Sequence, residues 1–305
     1  LQMDKWKQKG IEIEVSINIS SNHILNPGFF SYLDKVLALY PDVGSKFVQL
    51  EILESSALGD LDAIRSVIVH CQNQLGIDVA LDDFGTGYSS LTHLRSLPAR
   101  TIKIDQSFVR DMLDDQEDYA IIEGVIGLAT TFNRELIAEG VESTDHGILL
   151  LLMGCVEAQG YSIAKPMMAK DFPDWLQHYT PNQEWIECSN KELTAKEIQI
   201  KLVKLTTQRW IDNIEKTLKD LNKETWVMEE HTTCHAKGWL KSMRKLEIFN
   251  DLWLDKLEQA HQVMLFIAKG IIEHYLSGQI DLAKRDLKRL NNSYDKFSKI
   301  LDDAS

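Results

Sequence analysis

The stretch LDDFGTGYSSL, residues 81–91, places two adjacent carboxylates, Asp82 and Asp83, directly before a loop with two glycines. Side by side, the two carboxylates repel each other, and a turn needs only one of them. One interpretation is a Gly-rich turn after a strand, with Asp as the usual turn former. The other is a site at which bound cations neutralise both acids. The ends of the other strands decide between the two.

Short apolar runs alternate with helical segments along the first 180 or so residues. Several runs are β-branched and apolar on both faces, which is typical of a parallel sheet that is covered on both sides. This repeated alternation predicts an α/β fold, either a doubly wound sheet or a barrel. We count six strands, whereas a complete (β/α)8 barrel has eight. The runs are IEVSINIS (13–20), FVQLEILES (47–55), DVALDDFG (78–85), TIKIDQ (101–106), ELIAEGV (135–141) and EAQGYSI (157–163).

The composition limits the class of protein. With 305 residues and 44% hydrophobic content, the chain can bury a sizeable core, and we expect two domains. A formal net charge of −13 disfavours binding of long nucleic acid, although bound cations would let a small phosphorylated ligand approach. No apolar run is long enough to span a bilayer. The scattered cysteines form no CxxC pair and suit a reducing, cytoplasmic setting. They are Cys71, Cys155, Cys188 and Cys234.

Proline and glycine divide the chain into two parts. All 6 prolines lie at or before Pro181, and 13 of the 16 glycines lie at or before Gly160. We place the boundary within residues 180–190, which predicts an α/β domain over 1–183 and an all-α helical bundle over 184–305. Apolar residues of the second part recur at the seam spacing of a bundle. The stripes are Val203, Trp210, Ile214, Leu218 and Leu221; Leu254, Leu257, His261, Met264, Ala268, Ile271 and Tyr275; and Ala283, Leu287, Leu290, Tyr294, Phe297 and Leu301.

Every apolar run of the first part ends in side chains that can bind a metal or a phosphate. In parallel α/β folds the carboxyl ends of the strands meet at one edge, where active sites gather. Oxygen ligands without His or Cys predict magnesium, manganese or calcium rather than zinc. Two such cations about 4 Å apart are the usual apparatus of phosphodiester hydrolysis. The residues are Asn18, Glu51, Glu54, Asp82, Asp83, Lys103, Asp105, Glu139, Glu142 and Gln159.

Each of these residues also has a purely structural interpretation. Asn18 alone fits a hydrogen-bonded strand residue, and Lys103 alone fits a solvated lysine at a strand end. Glu51 and Glu54 alone fit charges on an edge strand. The recurrence of such groups at the ends of six strands favours the metal site, which also explains why two aspartates can be adjacent.

Six motifs follow one another along the first part: NIS at 18–20, EILES at 51–55, LDDFGTGYSSL at 81–91, IKID at 102–105, AEGVES at 138–143 and QGYSIAKP at 159–166. This ordered set closely resembles the EAL-domain family, over residues 1 to about 180. The resemblance implies a modified TIM barrel. It also implies cyclic di-GMP phosphodiesterase activity, in which one phosphodiester bond of cyclic di-GMP is cleaved to give linear pGpG.

The resemblance further implies a role for each matching residue. Lys103 matches the catalytic lysine that positions the attacking water. Glu54 matches the glutamate that anchors the DDFGTGYSS loop, and Gln159 matches a glutamine of the catalytic pocket. Two Mg²⁺ or Mn²⁺ ions are implied for each site. The residues that match metal ligands are Asn18, Glu51, Asp82, Asp105 and Glu139, with Asp83 beside them at the second metal.

Part of the family pattern has no equivalent in this sequence. The namesake Glu-Ala-Leu stretch, with its metal-binding Glu and a nearby substrate-binding Arg, is absent. Two strands are then missing with it, in agreement with the count of six, and the expected fold is an incomplete modified TIM barrel. We expect the native protein to continue upstream of Leu1 and this chain alone to be weak or inactive. Leu53, where the family usually has Thr, is expected to affect loop packing only.

The second part resembles, more faintly, the chemoreceptor zinc-binding domain, which is a helical bundle. Cys234 and His261 match two of that family's four zinc ligands, whereas Gln208 stands where the first His would be and Leu265 replaces another. A tetrahedral zinc site needs four donors. We therefore expect a regulatory or dimerising bundle without tight zinc binding, in which Cys234 and His261 are a remnant of the site.

The sequence leaves three interpretations of the function open. The leading one is a cyclic di-GMP phosphodiesterase. The second is an inactive barrel that binds cyclic di-GMP as a receptor or serves as a protein-interaction surface, and the third makes the bundle the working part. The expected partners are cyclic di-GMP and a second copy of the chain in a homodimer. Whether His231 or His235 restores a zinc site also stays open.

Overall fold

A computed structural model describes residues 1–55, 61–86, 90–220 and 234–304. The chain divides into two compact units. The first unit is Leu1–Arg110 with Asp118–Ile186, and the second is Asp111–Glu117 with Glu187–Ser305. The sequence did not indicate that Asp111–Glu117 belongs with the second unit, and the domain limits 1–183 and 184–305 stay a prediction. Residues 87–89 of the opening stretch, together with Leu221 and His231, lie outside the described residues.

The first unit is built on a parallel sheet. Within the described ranges it has six strands, and each strand pairs in parallel with the next along the chain. The middle strands are buried on both faces, which is why their sequences are continuously apolar. This half-barrel confirms the predicted incomplete barrel. The strands are β1 Val15–Asn18, β2 Val48–Leu53, β3 Asp78–Phe84, β4 Thr101–Ile104, β5 Glu135–Ala138 and β6 Glu157–Ala158.

Helices connect these strands and cover the sheet. One part of the core packs strand residues such as Ile52 and Val79 against helix residues such as Ile64 and Ile68. The helices are α1 Gln2–Lys7, α2 Ser21–Ile24, α3 Phe29–Ala38, α4 Leu61–His70, α5 Ser90–Ser96, α6 Gln106–Asp111, α7 Gln116–Thr131, α8 Thr144–Met153, α9 Phe172–His178 and α10 Gln183–Ser189.

The second unit contains the predicted helical bundle. Its long helices are α11 Ala195–Asp220, α12 His235–Leu246, α13 Asp251–Leu276 and α14 Ile280–Asp302. Helix α13 packs against α12 and α14, and α11 packs against the same two helices. Every residue of the stripe predicted on α13, from Leu254 to Tyr275, is buried, because those positions recur on one face of the helix. No helix in the described parts of the chain is both long enough and apolar enough to cross a lipid bilayer.

Candidate active site

A β-bulge brings the two adjacent aspartates to the same site. Leu81 on β3 is opposite Ile102 on β4, but Phe84, three residues further on, is opposite Ile104, two residues further on. Neighbouring residues of a regular strand point to opposite faces of the sheet. The extra residue, together with a left-handed backbone at Asp83 (φ 55°), lets both aspartates reach one cluster. The pair of acids in the opening stretch is therefore built into the strand itself and is not a simple turn.

Three carboxylates converge at this edge of the sheet. Asp82, Asp83 and Glu139 each offer an oxygen that lies within 4.8 Å of the other two. In the described ranges this is the one group of three or more His, Cys, Asp or Glu side chains that could hold a metal ion. A set of carboxylate oxygens fits magnesium, manganese or calcium better than zinc. The residues present therefore fit the divalent cations that the sequence predicts.

Lys103 lies among these acids. Its Nζ atom is 3.0 Å from Oε2 of Glu51, 2.9 Å from Oδ1 of Asp82 and 2.5 Å from Oε1 of Glu139. The residue is only 4% exposed, so the interpretation of a solvated strand-end lysine is wrong. Burial by itself lowers the pKa of Lys103, but hydrogen bonds to Glu139 and Asp82 outweigh burial and raise the pKa above its ordinary value. The side chain is therefore a buried ammonium.

The acids around Lys103 carry more negative charge than one ammonium can neutralise. Burial raises the pKa of Asp83 to about 6, and a hydrogen bond with Asp105 and the charges of Asp82 and Asp105 add to this rise. Burial also raises the pKa of Glu139, against the opposing effect of Lys103. Such shifts mark a site where additional positive charge is favourable.

Glu54 holds the turn that follows the bulge. This carboxylate is fully buried, and its Oε2 accepts a hydrogen bond from the backbone N–H of Gly85 over 3.0 Å. Gly85 has φ +107°, and a Cβ at this position would lie 2.9 Å from the ring of Phe108. Only glycine adopts this backbone without strain. The turn is thus fixed from β2 by Glu54 and is closely approached by Phe108.

The remaining predicted residues differ in whether they contact this centre. Nε2 of Gln159 donates a hydrogen bond to Oε1 of Glu139 over 2.7 Å. Asn18 is opposite Glu51 in the register of β1 and β2, although its side chain is exposed. The side chain of Glu142 is exposed as well. Direct contacts thus join most of the predicted residues, namely Glu51, Asp82, Asp83, Lys103, Asp105, Glu139 and Gln159.

One contact in the site was not predicted. The backbone N–H of Ser107 donates a hydrogen bond to Oδ1 of Asp105 over 2.8 Å, at the start of α6. This bond orients Asp105 toward Asp83. The sequence carries no specific signal for it, because Asp before a helix start is common in any protein.

In the second unit, Cys234 and His261 are both only 2% exposed. Burial raises the pKa of Cys234 to about 11 and lowers the pKa of His261 to about 4, so the first is a thiol and the second a neutral imidazole. The residue hydrogen-bonded to Cys234 is Thr207. Gln208 instead donates to Oδ1 of Asp212 over 2.8 Å. Gln208, which stands where the family's first His would be, thus bonds to Asp212, whereas its neighbour Thr207 bonds to Cys234.

The fold and the site together define a class of protein. A parallel half-barrel places acids, an amide and one buried lysine at the carboxyl ends of its strands, and the acids fit hard divalent cations. This is the arrangement of a barrel-type domain whose acidic site lies at the carboxyl ends of its strands.

The chain belongs to the EAL domain family, whose model matches residues 1–166. Over 175 residues it is 38% identical to "Cyclic di-GMP phosphodiesterase PA2567" of Pseudomonas aeruginosa; the match covers 57% of this chain and 30% of that protein. The chain thus spans less than a third of the length of this curated relative.

Two solved structures resemble the first part of the chain. The crystal structure of the EAL domain of Mycobacterium smegmatis DcpA has a TM-score of 0.56 at 34% identity and covers 59% of this chain and 81% of that one. The structure titled "PaMucR Phosphodiesterase, c-di-GMP complex" has a TM-score of 0.53 at 32% identity and covers 56% of this chain and 69% of that one. Both confirm the half-barrel as an EAL-type fold.

Proposed function

We propose that this chain carries the catalytic residues of a phosphodiesterase that hydrolyses cyclic di-GMP to linear pGpG with two divalent cations. The observation that carries the proposal is the contact of buried Lys103 with Glu51, Asp82 and Glu139 at the carboxyl ends of parallel strands. Two relatives support the substrate, since one is named a cyclic di-GMP phosphodiesterase and another was solved as a cyclic di-GMP complex.

The cations, magnesium or manganese, would be held by the acids of the site. When bound, they would neutralise these acids and withdraw electron density from the phosphodiester. The residues proposed to hold them are Asn18, Glu51, Asp82, Asp83, Asp105 and Glu139.

The other site residues have supporting roles in the proposal. The ammonium of Lys103 is a hydrogen-bond donor, which suits it to orient an attacking water or to hold a phosphate oxygen. Gln159 keeps Glu139 in place through its 2.7 Å hydrogen bond. Glu54 fixes the turn at Gly85 and with it the position of the bulge.

The experiment is an assay of cyclic di-GMP cleavage with Mg²⁺ or Mn²⁺, followed by chromatography for pGpG. The chain is assayed alone and together with any native residues that precede Leu1. Lys103→Met is the control, and circular dichroism checks that it folds. Cleavage that is lost in the control supports the proposal. Binding of cyclic di-GMP without cleavage would replace the phosphodiesterase proposal with the receptor function. If the chain neither binds nor cleaves cyclic di-GMP, it has the family's fold but not its activity.

For the second unit we propose a regulatory and dimerising role without tight zinc binding. A neutral buried His261 and a protonated Cys234 are two donors, fewer than the four of a structural zinc site. Light scattering of the chain should give a mass twice its 34.9 kDa. Stoichiometric zinc in protein purified without added metal would contradict the second half of this proposal.

A further inference from the structure

The first turn of α8 directly follows the loop that carries Glu139. The backbone N–H of Glu139 donates to the carbonyl of Ile104 over 3.1 Å, and Gly140–Glu142 then lead to Ser143. Ser143 caps α8, because its side chain accepts a hydrogen bond from the backbone N–H of His146. Only Gly140–Ser143 therefore separate Glu139 from the first turn of α8.

His146 bonds this turn to the end of α6. The side chain is buried, its Nδ1 accepts a hydrogen bond from the backbone N–H of Glu142 over 3.3 Å, and its Nε2 lies 3.1 Å from the carbonyl oxygen of Arg110. One neutral tautomer, with the proton on Nε2, satisfies both contacts. Arg110 is the last residue before the segment Asp111–Glu117, which belongs to the second unit.

Trp185 bonds the same turn to α10. Its Nε1 donates to the carbonyl of Thr144 over 2.8 Å, and Nδ2 of Asn182 donates to the hydroxyl of Thr144 over 2.9 Å. A Cβ at Gly147 would overlap the indole, so the ring rests where only glycine leaves room. One residue after Trp185, at Ile186, the first unit ends and α10 continues into the second.

We propose that the first turn of α8, Thr144–Gly147, couples the second unit to the candidate active site. In this proposal His146 and Trp185 are positioning residues for Glu139. At two of the points where the chain passes into the second unit, a hydrogen bond joins this turn to a residue at or next to the passage. A change in the second unit can therefore reach the Glu139 loop through either bond. The inference rests on the proposed function in one respect, namely that Glu139 holds a divalent cation.

The test compares two Trp→Phe variants of the full chain in a calorimetric titration with Mn²⁺. Trp185→Phe removes the hydrogen bond to Thr144. Trp6→Phe is the matched control, because Nε1 of Trp6 donates to the carbonyl of Ala169 over 3.2 Å in the same unit but away from α8. We expect Trp185→Phe to weaken Mn²⁺ binding about fivefold, the effect of one neutral hydrogen bond, and the control to change it less than about twofold. Equal Mn²⁺ affinities in the two variants would overturn the role of Trp185.

A second pair of variants tests the bond to Arg110 and its link to the second unit. His146→Leu should weaken Mn²⁺ binding, whereas His146→Gln, which keeps a donor and an acceptor, should recover part of the loss. In the second unit, Oδ1 of Asp114 accepts hydrogen bonds from Nδ2 of Asn213 (2.5 Å) and Nε of Arg209 (3.3 Å). Asp114→Ala should also weaken Mn²⁺ binding, and combined with His146→Leu its effect should be less than additive. No effect, or strict additivity, would contradict the coupling.

Glu139→Gln separates failure of this inference from failure of the proposed function. If the wild-type chain binds Mn²⁺ and Glu139→Gln does not, while the variants at Trp185 and His146 bind it normally, the inference alone is wrong. If the wild type and Glu139→Gln bind Mn²⁺ equally, Glu139 holds no cation, and both the inference and the proposed metal site are wrong.

Discussion

Lys103 and Arg100 lie three residues apart along the chain and are both paired with two or more carboxylates, but their surroundings differ. Lys103 is buried against Glu51, Asp82 and Glu139. The side chain of Arg100 is 56% exposed and bridges carboxylates at the surface. The two cations therefore provide a natural comparison of buried and exposed ion pairs within one strand region.

Replacement of Lys103 should destabilise the first unit strongly. Lys103→Met leaves buried carboxylates without their cation, which costs about 3–5 kcal/mol in buffer with a chelator. Arg100→Met removes two exposed ion pairs, with Asp78 and Glu135, and should cost less than about 1 kcal/mol. Urea unfolding followed by circular dichroism measures the free energy of unfolding of both variants. Added Mn²⁺ should reduce the loss in Lys103→Met, because the metal cation replaces the lost positive charge. Equal losses in the two variants would contradict the central position of Lys103.

Removal of the Glu54 carboxylate should loosen the turn at Gly85. A hydrogen bond to a charged group contributes about 1.5–3 kcal/mol, so Glu54→Ala should reduce kcat/KM of the proposed cleavage of cyclic di-GMP at least about tenfold. Glu54→Gln retains an acceptor for the Gly85 N–H and should lose less. Kinetic assays of both variants decide the matter. Equal losses in Glu54→Gln and Glu54→Ala would contradict the role of the acceptor and would show that the negative charge is what matters.

A side chain at Gly85 should be poorly tolerated. Gly85→Ala places a Cβ at φ +107° and 2.9 Å from Phe108, and we expect a loss of about 1–3 kcal/mol. The control is Gly127→Ala in α7, where a Cβ meets nothing within 4 Å and should stabilise the helix by up to about 1 kcal/mol. The thermal unfolding midpoint should therefore fall in Gly85→Ala and rise in Gly127→Ala. A shift of both midpoints in the same direction would contradict the prediction.

His261 should make the second unit sensitive to acid. The folded chain holds its pKa at about 4, whereas the unfolded chain titrates at about 6.5. Below pH 6.5 the unfolded state binds a proton that the folded state does not, so stability falls as the pH falls from about 6.5 to about 4. The expected loss is about 3 kcal/mol. Unfolding of His261→Leu over the same pH range should lack this loss of stability. Identical pH profiles for the wild type and His261→Leu would contradict the prediction.

The sequence predicted those features that repeat from strand to strand. In a parallel sheet every carboxyl end falls on the same edge, so the polar strand ends could be expected at one edge without knowing any distance. The bulge at Asp83 could not be predicted. The left-handed backbone of Asp83 depends on contacts with other strands. These are the hydrogen bond between Gly85 and Glu54, two residues that are 31 positions apart, and the shifted register against β4.

Features that occur once in the sequence were missed for a related reason. A single histidine or tryptophan on a helix, such as His146 or Trp185, is not part of a repeating pattern, and the sequence does not show which residue it contacts. The contact between Cys234 and Thr207 was not predicted, because the motif directs attention to Gln208, and one residue along a helix rotates a side chain by about 100°. Thr207, which contacts Cys234, is not a zinc-ligand residue type, so the motif does not indicate it.

The membership of Asp111–Glu117 in the second unit has a consequence for modular exchange. The second unit is discontinuous in sequence, since its parts are separated by Asp118–Ile186. Recombination at residue 186 would transfer the long helices of the second unit but would not transfer Asp111–Glu117. The second unit is therefore transferred whole only when Asp111–Glu117 moves together with Glu187–Ser305.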